Sequence, residues 1–283
     1  LYRAKSQGRN RFEYFSPELQ KGAIQTKQLS DQILAGLERG EFVPYYQLQF
    51  RASDLSVAGV ETLARWQHPE RGLLTPDKFL QVAEDLDAVA AIDKMILDKA
   101  LADHALWQEQ DVDIPKVSVN VSARRLADPT LGDSLREINM PDGALSFELL
   151  ETIFLDDCDG VVAENLRLIR KLGIGIEIDD FGTGHASIVS LLKTGPGTLK
   201  IDRALIAPIT RALDQRRLVG SIIEMGKSLN IRVVGEGAET MAHVRVLKRL
   251  GCDIIQGFAL ARPMAADQIG PFIREGAWKR PRG

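Results

Sequence analysis

Acidic and amide side chains stand at or just after the ends of successive short apolar segments in this sequence of 283 residues. The set comprises Glu61, Asn120, Glu148, Glu151, Asp179, Asp180, Asp202, Glu236, Glu239 and Gln256, with Lys200 among them. Oxygen donors without clustered His or Cys favour Mg²⁺ or Mn²⁺ over zinc. Two such ions about 3.5–4 Å apart, bridged by a carboxylate, would activate a water and clamp a phosphodiester.

Helix N-capping is the main alternative explanation for these acids, because helices are predicted directly after the segments. Caps need not follow nearly every strand, however, and Asn120 and Gln256 belong to the same pattern. So many carboxylates in one pocket cannot all ionise without nearby cations. A convergent site is therefore favoured. In that site Lys200 would hold the attacking water or stabilise developing charge, although a lone lysine is usually a surface residue.

Three further segments carry candidate binding residues. Arg65 has a guanidinium that suits a phosphate, with a salt bridge at the barrel rim as an equally weighted alternative. The glycine-rich stretch 180–185 suits either a phosphate cradle or a mobile flap, and its two aspartates favour the flap because they would repel a phosphate in the absence of metal. Tyr45, Tyr46 and Gln47 are the best candidates to contact a ring system, with packing within the strand as the alternative.

The elements that must position these residues alternate between strands and helices. Segments 43–50 and 56–65 predict a hairpin that turns at Ser53-Asp54. Further strands are predicted at 116–121, 145–150, 174–179, 198–201, 231–235 and 253–256. Helices are predicted at 29–37, 76–86, 89–110, 129–138, 159–172, 187–193, 208–229, 239–250 and 265–276. Eight strands arranged this way predict an α/β fold, a TIM-like (β/α)8 barrel whose N-terminal β-hairpin gives one antiparallel strand.

An open doubly wound sheet is the alternative fold, but no GxGxxG follows the first strand, so dinucleotide binding has little support. In a parallel barrel the carboxyl ends of the strands meet on one face, which would gather the acids into one bowl.

Composition excludes several classes of function. Lys plus Arg is 36 and Asp plus Glu is 39, which gives a net charge of −3 and no global attraction to a nucleic acid polymer or an anionic membrane. No apolar run approaches the roughly 18 residues of a membrane helix. The two cysteines, Cys158 and Cys252, form no disulfide framework, which favours a reducing, cytoplasmic setting for the domain. The sequence begins at Leu1 in a basic stretch and is expected to be a piece of a longer protein. The upstream part of that parent protein could attach it to a membrane.

A series of ordered motifs resembles the EAL domain, the cyclic di-GMP phosphodiesterase module of bacterial signalling proteins. The motifs are ETLARWQHPERG at 61–72, SVNVSARRL at 118–126, FELLE at 147–151, IDDFGTGHAS at 178–187, TLKIDRALI at 198–206, VVGEGAET at 233–240 and QGFALARP at 256–263. The resemblance covers about 29–263. The opening LYRAKSQGRNRF is similar to the end of a GGDEF domain. The resemblance thus implies the tail of an upstream GGDEF-like domain and a linker at 1–25, and an EAL barrel at 26–283.

The resemblance also implies an activity and a set of roles. EAL enzymes cleave cyclic di-GMP to linear 5'-pGpG with Mg²⁺ or Mn²⁺, and Ca²⁺ inhibits them. One ion would be held by Glu61, Asn120, Glu148 and Asp179. The other would be held by Asp179, Asp180 and Glu236. The implied catalytic residues are Lys200, Glu236, Glu61 and Glu151. Of these, Lys200 would position the attacking water, and Glu151 would tether the flap 180–186. The implied substrate-binding residues are Gln47, Leu63, Arg65, Asp202, Glu239 and Gln256.

The family commonly acts as a homodimer built next to the flap, downstream of a GGDEF domain and sensor domains in the same protein. The chain departs from the family pattern at Thr62, where Ala is usual, and at 194–197, which replaces a more hydrophobic segment near the flap helix. Thr62 is expected to point away from Glu61. A catalytically weak cyclic di-GMP receptor or regulatory module is one alternative function, and a metal-dependent barrel lyase or isomerase is another. The intact set of acids favours the phosphodiesterase.

Overall fold

Eight strands close into a barrel in the computed structural model, which describes residues 17–138, 140–151, 160–182 and 195–279, with side chains from residue 24. The strands are β1 Phe42–Arg51, β2 Val57–His68, β3 Gly72–Leu74, β4 Val117–Asn120, β5 Leu145–Leu150, β6 Gly175–Phe181, β7 Thr198–Ile201, β8 Arg232–Gly235 and β9 Ile254–Gln256. The order around the barrel is β1-β2-β4-β5-β6-β7-β8-β9, and β3 pairs with β2 outside it. β1 is antiparallel to both neighbours and the remaining barrel pairs are parallel. The predicted TIM-like barrel with its hairpin is therefore confirmed.

The β1–β2 hairpin turns where Ser53-Asp54 predicted. Asp54 Oδ1 accepts hydrogen bonds from the backbone N of Ser56 at 2.9 Å and from its hydroxyl at 2.8 Å. Leu55 adopts the left-handed conformation with φ 59°. The register pairs Gln47 with Glu61, which brings these two candidate residues side by side at the barrel interior.

Helices cover the outside of the barrel. They are α1 Pro17–Glu38, α2 Leu80–Asp85, α3 Val89–Glu109, α4 Ala123–Leu126, α5 Leu131–Arg136, α6 Val161–Lys171, α7 Arg203–Ile206, α8 Leu213–Ser228, α9 Met241–Leu250 and α10 Ala266–Glu275, with 3-10 turns at Pro76–Lys78 and Ala277–Lys279. The sequence predicted the long helices, although α1 begins at Pro17 and so crosses the expected boundary between residues 25 and 26. The predicted helix at 187–193 lies outside the described residues. No helix in the described part of the chain is long and apolar enough to cross a membrane.

Besides the 3-10 turn at Ala277–Lys279, three short elements were not predicted: β3, α4 and α7. α4 and α7 have four residues each, too few for a hydrophobic period to be visible. Both depend on a local cap instead. Ser122 Oγ accepts from the backbone N of Arg125, and Asp202 Oδ1 accepts from the backbone N of Ala204 at 2.7 Å.

Strand alternation separates an apolar outer core from a polar barrel interior. On β1, Phe42, Tyr46, Leu48 and Phe50 are fully buried toward the helices. Tyr46 donates a hydrogen bond to Asp103 of α3, so the hypothesis that Tyr46 contacts a ring in the site is wrong. Packing between the strand and the helix layer explains it.

Thr62 lies on the helix-facing side of β2, as expected from alternation, and its hydroxyl is buried without a hydrogen-bond partner among the described residues. A buried hydroxyl without a partner lowers the free energy of unfolding by about 1–3 kcal/mol.

We therefore expect Thr62→Val to raise the free energy of unfolding by about 1 kcal/mol in urea titrations. Thr130→Val is the control and should not gain stability, because the Thr130 hydroxyl donates to Asp128 at 2.8 Å. A less stable Thr62→Val variant would show that the Thr62 hydroxyl has a partner.

Candidate active site

The carboxyl ends of the barrel strands surround the ammonium of Lys200 with four of the predicted acids. Lys200 Nζ lies 2.8 Å from Glu236 Oε1, 2.9 Å from Asp179 Oδ1, 3.0 Å from Glu148 Oε1 and 3.3 Å from Glu61 Oε1. The lysine side chain is entirely buried. Because these groups come from β2, β5, β6, β7 and the residue after β8, only the closed barrel brings them together.

Two groups of acids in this bowl have a geometry that could hold a cation. Glu61, Glu148 and Asp179 form one group, and Asp179, Asp180 and Glu236 form the other, with the candidate ligand atoms of each group within 4.8 Å of one another. Asp179 belongs to both groups. An Asp shared in this way is the arrangement expected when a carboxylate bridges two ions.

The chemistry of the donors fits hard cations. Every candidate ligand atom in the two groups is a carboxylate oxygen. Glu148 Oε1, Asp179 Oδ1 and Glu236 Oε1 are buried and contact Lys200 Nζ at 2.8–3.0 Å, but they accept no hydrogen bond of good geometry within the described structure. Buried oxygens whose hydrogen-bonding capacity is not filled can accept a divalent ion.

A backbone irregularity places Asp180 in the same group as its neighbour Asp179. Consecutive residues of a regular strand point to opposite faces, so both aspartates would not normally reach one site. Asp180 has φ 54°, a left-handed conformation that is uncommon outside glycine, and the β6–β7 register shifts between Ile178 and Phe181. The strand therefore ends in a local kink that turns Asp180 toward Asp179 and Glu236.

The electrostatics of the site oppose full ionisation of its acids. Burial raises the pKa of Glu236 to about 8, with Asp179 and Glu61 adding to the shift. Burial, followed by Glu61, raises the pKa of Glu148 well above its ordinary value. Burial, followed by Asp179 and Asp202, raises the pKa of Asp180 to about 6. The bowl thus holds more acidic groups than Lys200 can balance, which favours uptake of divalent cations with release of protons.

The pKa of Lys200 is raised as well, which for a lysine favours the charged form. Burial by itself would lower the pKa of Lys200, but the charges of Glu148, Glu236, Glu61 and Asp179 outweigh it and raise the pKa well above its ordinary value.

Amide side chains orient the acids of the bowl. Asn120 Nδ2 donates to Glu148 Oε2 at 3.3 Å. Gln256 Nε2 donates to Glu61 Oε2 and, at 3.2 Å, to Gln47 Oε1. The predicted residues Asn120, Gln256 and Gln47 are therefore in the same network as the two acids.

Glu151 follows β5 and contacts the start of the glycine-rich stretch. Its buried carboxylate accepts a hydrogen bond from the backbone N of Gly182 at 3.0 Å. The rest of the predicted flap, 183–186, with His185, lies outside the described residues, as does Thr194 of the segment 194–197. The contact at Gly182 is the part of the predicted tether that the structure describes.

A cleft of about 240 Å³ opens beside the bowl. It is lined by Gln47, Glu61, Leu63, Arg203, Glu236, Gly237, Glu239, Gln256, Gly257 and Phe258. At its rim Arg203 Nη2 pairs with Glu239 Oε1 at 2.6 Å. Gly237 has φ +63°, and a Cβ there would lie 2.3 Å from Arg203 Cγ, so glycine allows the Arg203 side chain to pass.

Sequence reasoning missed four residues of this cleft: the glycines Gly237 and Gly257, and the side chains of Arg203 and Phe258. Arg203 directly follows Asp202, and Phe258 lies two residues after Gln256. Both lie within motifs of the resemblance, TLKIDRALI at 198–206 and QGFALARP at 256–263, and that position was the available signal. The guanidinium of Arg262 lies 4.4 Å from the centre of the Phe258 ring.

Two of the predicted substrate-binding residues, Arg65 and Asp202, are not part of the cleft lining. The Arg65 guanidinium stands 5.8 Å from the Tyr45 ring centre and donates to the backbone O of Ala64 at 2.8 Å. Burial lowers the pKa of Arg65. Asp202 caps α7, in agreement with the N-capping alternative for this acid. Its charge also raises the pKa of Asp180.

The barrel, the shared acids and the motifs define the class of protein. Residues 27–263 match the family model of the EAL domain, and the chain belongs to this family. Among curated proteins it is 37% identical over 273 residues to the bifunctional diguanylate cyclase/cyclic di-GMP phosphodiesterase MucR of Pseudomonas aeruginosa, covering 95% of this chain and 40% of that protein. It is 30% identical over 272 residues to the cyclic di-GMP phosphodiesterase PdeR of Escherichia coli, covering 94% of this chain and 40% of PdeR. The chain therefore spans well under half the length of these relatives.

Solved structures give the same class. A structure of the P. aeruginosa MucR phosphodiesterase in complex with c-di-GMP matches with a TM-score of 0.79 and 37% identity, covering 86% of this chain and 99% of that one. The EAL enzyme Bd1971, in a form bound to cAMP and cyclic di-GMP, matches with a TM-score of 0.81 and 27% identity, covering 89% of this chain and 70% of that one.

Proposed function

We propose that this chain is a metal-dependent phosphodiesterase that hydrolyses cyclic di-GMP to linear 5'-pGpG. The observation that carries the proposal is the pair of acidic groups that share Asp179 around Lys200 and border an open cleft. The names of MucR and PdeR, and the c-di-GMP complex of the MucR phosphodiesterase, support the choice of substrate.

Mg²⁺ or Mn²⁺ is the proposed cofactor, with two ions per site. When bound, they would supply an activated water and neutralise charge on the scissile phosphodiester. Glu61, Glu148 and Asp179, with Asn120 beside them, would hold one ion. Asp179, Asp180 and Glu236 would hold the other. Ca²⁺ would inhibit, because its larger and looser coordination shell does not keep the geometry of the smaller ions.

The residues of the bowl would then act on the water and the phosphate. Lys200 would hold the attacking water and stabilise the charge that develops on the phosphoryl oxygens. Glu236, whose Oε1 is 2.8 Å from Lys200 Nζ, would help to orient the same water. Lys200, Glu236, Glu61 and Glu151 are the proposed catalytic and site-ordering residues.

The cleft would bind the dinucleotide. Gln47, Leu63, Glu239 and Gln256 line it or its rim and are the proposed contacts. Asp202 would act through water beside Asp180. Arg65 would have to leave its place beside Tyr45 to reach a phosphate.

The setting of the domain is also a proposal. We place the tail of an upstream GGDEF-like domain and a linker at 1–25, the EAL barrel at 26–283, and a homodimer next to the flap, in a parent protein with a sensor domain. A helix that crosses residue 25 would connect the two parts continuously.

The test is to incubate the purified chain with cyclic di-GMP and Mg²⁺ or Mn²⁺, with and without Ca²⁺, and to separate the products by chromatography. We expect pGpG that Ca²⁺ suppresses. Tight binding without pGpG would contradict the enzymatic proposal and favour the catalytically weak receptor. Neither binding nor cleavage would contradict both and favour another metal-dependent barrel enzyme.

Glu151→Ala is expected to lower kcat by roughly 10–100-fold while the barrel stays folded. The reason is loss of the hydrogen bond from Gly182 N to a carboxylate, since such bonds contribute about 1.5–3 kcal/mol. Steady-state kinetics and thermal unfolding would measure both quantities. Glu164→Ala, an exposed acid on α6, is the control and should leave kcat unchanged. Unchanged kinetics in Glu151→Ala would refute a role in ordering the stretch after Asp180.

A further inference from the structure

A second ion pair lies inside the barrel, beneath the bowl of acids. Lys116 Nζ contacts Glu177 Oε1 at 2.5 Å, and both side chains are buried, with 5% and 1% exposure. Ser118 Oγ donates to the same Glu177 oxygen at 3.2 Å. Neither Lys116 nor Glu177 belongs to the two groups that could hold a cation.

The pair is a built feature of the interior and not a chance contact. The side chain of Lys116 passes directly against Gly59 of β2, where an added Cβ would meet Lys116 O at 2.6 Å and Lys116 Cε at 3.2 Å. Glycine at this position therefore makes room for the lysine stem. Burial opposes ionisation of Glu177, but the charge and hydrogen bond of Lys116 outweigh it, and the pKa of Glu177 stays below its ordinary value.

The position of the pair relates it to the candidate cation site. Glu177 precedes Asp179 by two residues on β6, so it faces the same interior about 6.6 Å deeper along the strand. Lys116 immediately precedes β4, and Ser118 is the second residue of that strand, whose last residue is Asn120. The contact therefore joins β4 to β6 through the barrel interior.

β5 lies between β4 and β6 and carries Glu148, one of the candidate cation ligands. In the sheet, Glu148 of β5 is in register with Asn120 on one side and with Glu177 on the other. Because β5 lies between β4 and β6, a contact that joins β4 to β6 holds the two outer strands at a fixed distance from each other. That distance affects how closely Asn120 of β4, Glu148 of β5 and Asp179 of β6 approach one another.

We propose that the Lys116–Glu177 ion pair, with Ser118, is an interior brace that positions Asn120, Glu148 and Asp179 for the cation that they would hold together with Glu61. The proposal deepens the proposed function and rests on it for the identity of the site. Lys116, Ser118 and Glu177 touch neither substrate nor cation and act as positioning residues. Loss of groups that orient metal ligands typically weakens metal binding by about 10–100-fold.

The test replaces both charges together, because removing one partner would leave an uncompensated buried charge. The double variant Lys116→Met/Glu177→Met keeps roughly the side-chain volumes and is expected to fold, since apolar substitutes for a buried pair are often neutral in stability. We expect its dissociation constant for Mn²⁺, measured by calorimetry without substrate, to rise about 10–100-fold. The KM for cyclic di-GMP at saturating Mn²⁺ should change by less than about twofold, because the cleft residues are untouched.

Ile223→Ala is the control for general destabilisation. Ile223 is fully buried on α8, outside the barrel interior, and its truncation should lower the melting temperature without changing Mn²⁺ affinity. Unchanged Mn²⁺ affinity in the double variant, or an equal loss in Ile223→Ala, would overturn the brace. If the double variant does not fold, Ser118→Ala decides: weaker Mn²⁺ binding supports the brace and unchanged binding overturns it.

The wild-type chain separates this proposal from the proposed function. Mn²⁺ binding without production of pGpG would refute the phosphodiesterase, while the calorimetric comparison would still decide on the brace. Production of pGpG together with unchanged Mn²⁺ affinity in the folded double variant would refute the brace alone.

Discussion

Glu61→Ala is expected to lower the turnover of cyclic di-GMP by about 10³-fold and to weaken Mn²⁺ binding by at least about 100-fold. Glu61 supplies a carboxylate to one of the two acidic groups and is fixed there by Gln256 Nε2. Its removal leaves that group with Glu148 and Asp179 alone. The expected loss of turnover corresponds to roughly 4 kcal/mol, which is within the contribution of a catalytic metal ion to charge stabilisation.

Steady-state kinetics over a range of Mn²⁺ concentrations, together with calorimetry, would measure both effects. Glu70→Ala is the matched control, because Glu70 is an exposed acid beyond the end of β2 and belongs to neither group. Full Mn²⁺-dependent activity in Glu61→Ala would contradict the assignment of the site.

Lys200→Met should separate catalysis from cation binding. Lys200 contacts four carboxylates, so its loss should reduce turnover by about 10³-fold through the missing charge on the water and phosphate. Mn²⁺ affinity should be kept or increased, since a competing positive charge is gone. The metal-free variant should lose about 3 kcal/mol of stability, because four buried acids lack their counter-ion, and Mn²⁺ should restore it.

Thermal unfolding with and without Mn²⁺ would reveal this pattern. Lys227→Met removes an exposed lysine that pairs with Glu224 at 2.9 Å and should change stability by less than about 0.5 kcal/mol. A loss of Mn²⁺ binding in Lys200→Met comparable to that in Glu61→Ala would contradict the separate role of the lysine.

The positions of the strand-end acids could be predicted from the sequence because each follows an apolar segment whose alternation identifies a strand. The α/β order of these segments predicts a barrel, and a parallel barrel gathers strand ends on one face. Glu61, Glu148, Asp179, Lys200 and Glu236 came together for that reason.

The finer geometry depends on features that alternation cannot show. Asp180 reaches the site only through a left-handed residue and a register shift in β6. Arg203 lies at the cleft because Gly237 leaves space for it. On β1, Gln47 lies on the face toward the barrel interior, and Tyr46 lies on the opposite face. Tyr46 therefore contacts Asp103 of the helix layer.

The Lys116–Glu177 pair illustrates the same limit at longer range. Both residues fall inside predicted strands, and Glu177 shares the two-residue period of Asp179. The two residues are 61 positions apart in the sequence, and they meet only because β4, β5 and β6 pair side by side in the sheet. No local pattern encodes such a contact.

Anomalous diffraction from crystals of the wild-type chain soaked briefly with Mn²⁺ and cyclic di-GMP would test the shared-Asp179 centre most directly. The predicted result is two manganese peaks about 3.5–4 Å apart with the Asp179 carboxylate between them, and nucleotide in the adjoining cleft. Manganese bound elsewhere, or nucleotide in the cleft with no manganese at Asp179, would contradict the account.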